Sequence, residues 1–357
     1  MSTAQAFNLD ALVEVVDLRA GEVDQTEGNL RETLLGLVAQ GATSHGLSDS
    51  DLPIAHQARV ITALAEKCLS TAFVTWSHRM TTEYVDRWAS EELRSEFLPQ
   101  LRSGSRVGST ALATALADRS GKELLPIIFE EVDGEFVISG VIPWASNLYR
   151  DTLIVFAARN ETTEERVLFA ATLDLPGINV KPAGELLALN ATASGTVRFD
   201  GLRLGVANVL TRDAGAFLGQ MRPRFLVLQT AFCLGLIHAS IKAIRGSNSL
   251  APFASDLVQF EDELARLESE QARLTAQLET YPAPAPGFAP LEFLKLRLNA
   301  AELAQATTRV ELATVGGRGY YTASATSRRI RESLFLSVQA PTEGSLRWEI
   351  SQLSSKA

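Results

Sequence analysis

Residues 133–159 read DGEFVISGVIPWASNLYRDTLIVFAAR, and the fold turns on how this stretch is read. Asp133-Gly134 has the chemistry of a tight hairpin turn, because both residue types tolerate the backbone that such a turn requires. The flanking segments, IIFEEV and EFVISGV, read as two strands paired around it, and DTLIVFAAR reads as a third. Between the second and third stands WASN, with Trp144 followed by Ser146 and Asn147. An aromatic face beside small hydrogen-bonding groups suits a flat heterocycle, which needs stacking and edge contacts. The plainer reading is a core tryptophan at a strand end with a Ser-Asn turn after it. The residues alone leave both open.

Outward from this stretch, RVLFAATL, GINVKPA and GTVRFDGLRL follow at short intervals with turn residues between them. Several short strands at such spacing predict a middle β-domain over residues 106–207, a small barrel or sandwich. Residues 1–105 read as helical. Leu30, Leu34, Leu37 and Val38 share one helix face with Gly41 at its end, and QARVITALAEKCLSTAFVTWSHRM reads as one long, largely buried helix. Ser90 caps a third helix that closes at Gly104, with Pro99 breaking it early. Residues 208–357 return to helix. FLVLQTAFCLGLIHASIKAI is apolar, LVQFEDELARLESEQARLTAQLETY amphipathic, and YPAPAPGFAP a proline-rich connector to another long helix ending at Gly316-Gly317. The order is an N-terminal helical domain, a middle β-domain and a C-terminal helical bundle.

Composition narrows the function classes. The 357 residues suffice for two or three domains, and 46% are hydrophobic. A net charge of −9 argues against nucleic acid as the main partner. No apolar run is expected to span a membrane, and the acidic N-terminus lacks the pattern of a signal peptide. Cys68 and Cys233 lie in apolar helical patterns and read as buried thiols of a reducing compartment, the cytoplasm. His45, His56, His78 and His238 share no metal-ligand spacing, and His78 and His238 read as core histidines. No Gly-x-Gly-x-x-Gly follows a strand, and GGRGY, which follows a helix, reads first as a helix stop. One carboxylate near the C-terminus stands out: Glu343 in PTEGS is either a catalytic base or a turn residue that closes the last helix.

Four segments in order resemble the acyl-CoA dehydrogenase family. These are EELRSEFLPQLRSGSRVGSTAL, the Trp144 stretch, ASGTVRFDGLRLGVANVL, and TVGGRGYYTASATSRRIRES. The resemblance covers nearly the whole chain, and it implies an N-terminal helical domain, a middle β-barrel or sandwich domain and a C-terminal four-helix bundle. It implies FAD, with Trp144 against the flavin ring, Ser146 near its reactive nitrogen and Thr114 at its pyrimidine edge. It implies that Gly316, Gly317 and Gly319 lie close to the FAD of a neighbouring subunit, and so a homodimer or homotetramer. It implies an acyl-CoA substrate, an unidentified electron acceptor, and a glutamate base that removes the α-proton as hydride leaves the β-carbon.

The departures from the family pattern are specific. Where the family carries L-T-E-P and then G-S-D, this chain has LATALADRSGK, and RGSNSLAPFASD lacks the arginine that binds a neighbour's FAD. The family's substrate arginine position holds Leu226, leaving Arg224, two residues earlier, as the substrate-binding candidate. Nine residues beyond Arg331, where the base belongs, stands Ala340, and Glu343 lies three further on. Alternatives within the same fold are a flavin monooxygenase-like protein that needs no such base, and a non-catalytic assembly subunit.

Overall fold

A computed structural model describes residues 7–26, 28–280 and 290–355. The N-terminal part consists of α1 (Leu9–Asp24), α2 (Leu30–Ala39), α3 (Ile54–Lys67), α4 (Leu69–Trp88) and α5 (Glu91–Ser103). Asn8, Asn29 and Ser90 cap α1, α2 and α5 through their side-chain oxygens. Leu30, Leu34, Leu37 and Val38 are all buried, and Gly41 takes a left-handed φ of +85° just past α2. Two expectations are corrected here. The stretch 57–80 is two helices, because Cys68 adopts an extended φ of −155° between α3 and α4, and so that thiol is buried at a break rather than inside a helix. Pro99 does not end α5, which continues to Gly104 at φ +74°. So close to a helix end, the missing N–H removes one hydrogen bond from a turn that is about to stop.

The middle part is one eight-stranded sheet. Its strands are β1 (Gly108–Ala111), β2 (Ile128–Val132), β3 (Glu135–Ala145), β4 (Leu153–Asn160), β5 (Arg166–Thr172), β6 (Ile178–Pro182), β7 (Gly195–Leu204) and β8 (Val209–Thr211). They lie in the order β6-β7-β3-β2-β4-β5-β8, with β1 parallel to β4. The expected hairpin is present: β2 and β3 pair antiparallel from Val132–Glu135 outward, and Asp133 and Gly134 have φ of +54° and +82°. β8 pairs with β5 and carries the sheet past the expected boundary at 207. A helix that the sequence reading did not anticipate, α6 (Ala113–Arg119), follows β1.

The C-terminal part holds α7 (Ala214–Arg245), α8 (Ala254–Thr280), α9 (Pro290–Val315), α10 (Ala325–Val338) and α11 (Glu343–Ser354). The proline-rich connector lies outside the described residues, apart from Pro290, which opens α9. α7 corrects another expectation, since it is long and apolar enough to cross a membrane; 89% of its most apolar window is buried inside the protein. It is a core helix, packed against α3, α8 and α9. Its closest approach is at Gly235, where an added Cβ would lie 2.5 Å from the Thr62 carbonyl and 2.6 Å from Ala65 Cβ of α3. Arg297, wholly buried on α9, caps the end of α10 by donating to the Leu336 carbonyl and to Gln339 Oε1, both at 3.1 Å.

Candidate functional site

The site the sequence points to is built where β3 ends. Its last pair joins Ala145 to Gly195 of β7, and one residue earlier Trp144 is 56% exposed. Trp144 is therefore no core tryptophan; its indole stands at the surface. Behind it runs a chain of hydroxyls. Ser109 donates to the Ser146 carbonyl at 2.7 Å, Ser146 Oγ pairs with Ser194 Oγ at 2.7 Å, and Ser194 Oγ pairs with Thr192 Oγ1 at 2.7 Å.

Asn147 locks this strand end to the helices. Its backbone is left-handed (φ +61°), and its Nδ2 donates to the Val74 carbonyl of α4 at 3.0 Å and to the Gly108 carbonyl of β1 at 3.1 Å. The facing loop is strained. Leu189 and Ala193, on either side of the short turn Asn190–Thr192, have φ of +64° and +47°. Three non-glycine residues in the left-handed region, joined through Asn147 N–H to the Thr192 carbonyl and Leu148 N–H to the Ala193 carbonyl, mark a segment held by its surroundings.

His78 completes the support. Its Nδ1 accepts the Gly108 N–H at 3.0 Å, which fixes the tautomer so that Nε2 donates to the Leu101 carbonyl at 3.0 Å. Burial pushes its pKa down to about 4, so it is a neutral strut between α4, α5 and β1. His238, by contrast, is not in the core, and it pairs with Glu268 at 2.8 Å on the surface. Thr114 stands on α6, five residues after Ser109, and its Oγ1 is buried with no hydrogen-bond partner. Buried hydroxyls are normally paired, so this one is conspicuous.

The other expected residues sit elsewhere. Gly316 ends α9 at φ +69° with open space around it, as does Gly317. Gly319 is buried, and a Cβ there would lie 2.9 Å from Thr326 Cγ2. This loop is stapled to its own hairpin: the fully buried Glu311 accepts Arg329 at 2.9 and 2.5 Å and Thr326 at 2.6 Å. Arg331 connects it to α1 and to the loop between β6 and β7. Arg331 forks onto Asp24 of α1 at 2.8 and 2.6 Å, and donates to the carbonyls of Thr322 and Leu187. Sequence reasoning used Arg331 only as a counting mark; the density of arginines in SRRIRES was the available signal.

Glu343 is the first residue of α11, behind a Thr342 cap. Its Oε1 accepts Arg347 Nε at 2.9 Å and its Oε2 accepts Ser337 Oγ at 3.2 Å. Arg224 is buried, giving its Nε to Glu83 and its Nη2 to the Gly46 carbonyl at 2.7 Å. The neighbouring Arg222 pairs with the buried Glu349 of α11 at 2.5 Å. Trp144 and Ser146 thus stand at one strand end and Thr114 on α6, the helix after β1, while Glu343 and Arg224 lie on other elements with partners of their own. No group of three metal-binding side chains occurs among the described residues.

The solved butyryl-CoA dehydrogenase of Megasphaera elsdenii superposes with a TM-score of 0.84, covering 99% of this chain and 98% of that one, at 14% identity. The chain has the acyl-CoA dehydrogenase fold. Other structures with this fold also match it end to end. Glutaryl-CoA dehydrogenase of Mycobacterium smegmatis gives a TM-score of 0.81 at 17% identity, over 100% of this chain and 96% of that one. The prolyl acyl carrier protein oxidase AnaB gives 0.82 at 17%, over 97% and 99%. Among curated proteins, the NADH-dependent acryloyl-CoA reductase of Anaerotignum propionicum is 21% identical over 161 residues, 44% of this chain. That match spans only 41% of the reductase's length. No model of a known protein family matches the sequence.

Proposed function

We propose that this protein is a flavin-dependent oxidoreductase that carries out α,β-dehydrogenation of an acyl thioester. The observation that carries the reading is the strand end, where a half-exposed Trp144 stands before a buried hydroxyl chain, with a Thr114 hydroxyl unpartnered among the described residues on α6, after β1. An indole face suits a flat ring, and an unpaired buried hydroxyl suits an edge acceptor that the protein itself does not supply. The residues fit FAD. Trp144 would hold the ring face, Thr114 and Ser146 would hold its polar edge, and the locked Asn147 turn would keep all three in register. FAD, when bound, accepts hydride from a saturated carbon. The acyl thioester substrate follows from the fold's dehydrogenases and from the partial likeness to a CoA-ester reductase.

Dehydrogenation also needs a base for the α-proton, and Glu343 is the residue in question. To act, it would exchange Arg347 and Ser337 for the substrate. That engagement favours a second reading: an oxygen-using member of the fold, in which no substrate proton passes to a carboxylate. Anaerobic mixing of the flavin-loaded protein with octanoyl-CoA, followed by stopped-flow absorbance, separates the two. Dehydrogenation predicts flavin bleaching without added reductant. If Glu343 is the base, Glu343→Gln slows that bleaching by a factor on the order of 10² to 10⁴. Absence of bleaching by the thioester, with oxygen uptake by the chemically reduced protein, would transfer the function to the second reading. A protein that does neither would be the assembly subunit.

A further inference from the structure

A cavity of about 260 Å³ opens on the far side of α4 from the strand end. The placement follows from the helix. Ser77 and Tyr84 of α4 face the β-domain, bonding Thr110 N–H at 3.3 Å and Thr110 Oγ1 at 3.1 Å, and Thr81 packs on Gly108. Arg79 and Glu83 each follow one of these residues by two, roughly 200° around the helix. This opposite face meets the loop at Gly46 and the first half of α7.

Three guanidiniums converge there on one carboxylate. Glu83 accepts Arg79 Nη1 at 2.8 Å, Arg87 Nε at 3.0 Å and Arg224 Nε. Burial pushes the Glu83 pKa up, but the three cations outweigh it and hold it at about 2. The nearby Asp86 is already taken by Ser48 and Arg102. Arg87 and Arg224 both line the cavity, and both give Nη2 to the Gly46 carbonyl, at 2.9 and 2.7 Å. With Nε and Nη2 so used, the Nη1 group of each, carrying two N–H donors, has no partner among the described residues.

Two carboxylates stand on the rim of the same cavity. Asp51 is exposed, with no ion pair or hydrogen bond to its side chain among the described residues. Among the described residues, Glu279 uses only Oε1, accepting Ala55 N–H at 3.3 Å. The rest of the wall includes Leu47, Leu52 and Leu278. We infer that this cavity binds a small aliphatic α-amino acid. Its carboxylate meets the Nη1 groups of Arg87 and Arg224, its ammonium meets Asp51 and Glu279, and its side chain lies on the leucines. A plain dianion would meet the two rim carboxylates unfavourably, and a plain amine would meet the guanidiniums. The volume lies below the roughly 300–1,000 Å³ of pockets for drug-sized ligands, which fits a molecule of this size. The inference is independent of the flavin reading, because it uses the other face of α4.

Calorimetric titration of the full-length protein with L-norvaline, pentanoate, butylamine and inorganic phosphate tests it. L-Norvaline is expected to bind saturably at millimolar concentration, with pentanoate and butylamine each about tenfold weaker, the loss of one charged contact. In the Asp51→Asn/Glu279→Gln double variant, both changes being on exposed residues, L-norvaline should lose its advantage over pentanoate. Arg87→Gln should weaken L-norvaline and pentanoate together. No saturable binding of L-norvaline, equal binding by pentanoate in wild type, or tighter binding of phosphate would each overturn the proposal.

Discussion

Glu332 is a carboxylate inside the protein, 2% exposed on α10. One oxygen accepts the Leu69 N–H at 3.2 Å, and so caps the start of α4. Burial raises its pKa from 4.5 to about 7, with Asp24 adding to the rise against the pull of Arg328. A carboxyl whose pKa is raised on folding gives stability that is fully present below its unfolded value of 4.5 and is lost as pH climbs through about 7. Glu332→Gln keeps the shape and the acceptor but cannot ionise. Denaturant unfolding should therefore find wild type less stable at about pH 8 than at about pH 5. The variant should lack a part of that slope worth on the order of 3 kcal/mol. Identical pH profiles would refute the buried titration. This residue was visible in the sequence only as a neighbour of Arg331, because nothing local tells that residue 332 meets Leu69, on the far side of the fold. The expected turn closing the last helix is corrected, because a further helix, α11, starts at Glu343 behind the Thr342 cap, with Arg347 paired to it four residues on.

Among the elements, α7 and α3 are held together by an absence of side chain. An alanine Cβ at 235 would fall 2.5 Å from the Thr62 carbonyl, a backbone atom that cannot step aside. Gly235→Ala should separate the helices and destabilise the protein by about 1–3 kcal/mol, as overpacking does. Thermal unfolding that is unchanged would mean the two helices adjust freely. The strands were legible because turn chemistry and period-2 alternation agree, as at Asp133-Gly134. Three features escaped for physical reasons. The α3–α4 break carries no glycine or proline, since Cys68 bends the chain by its backbone alone. α6 is seven residues long with no side-chain cap. The connection of eight strands into one sheet depends on parallel pairs, β1 with β4 and β2 with β4, that no hairpin signal announces.

At the scale of the whole molecule, the order helix, sheet, helix was readable because each domain keeps one period over about a hundred residues, and the fold comparison agrees with it. Assembly is a different matter. The long apolar helix α7 supplies no surface for it, being consumed by the protein's own core. The exposed apolar residues include Tyr320 and Tyr321 beside the glycine loop, with Leu334 and Val338 on α10. Those four give the expectation of a homodimer or homotetramer a new motive, since exposed apolar clusters tend to be covered. Light scattering at micromolar concentration should give at least twice the 38.6 kDa chain mass, and a stable monomer would contradict it. The central claim is that the strand end holding Trp144 is a flavin site. The direct measurement is the visible absorbance spectrum of the purified protein, gel-filtered after incubation with FAD, for wild type and Trp144→Ala. The account predicts a retained flavin spectrum in wild type and much lower FAD occupancy in a variant that remains folded. A wild-type protein that retains no FAD, or a folded Trp144→Ala that retains it fully, would contradict it.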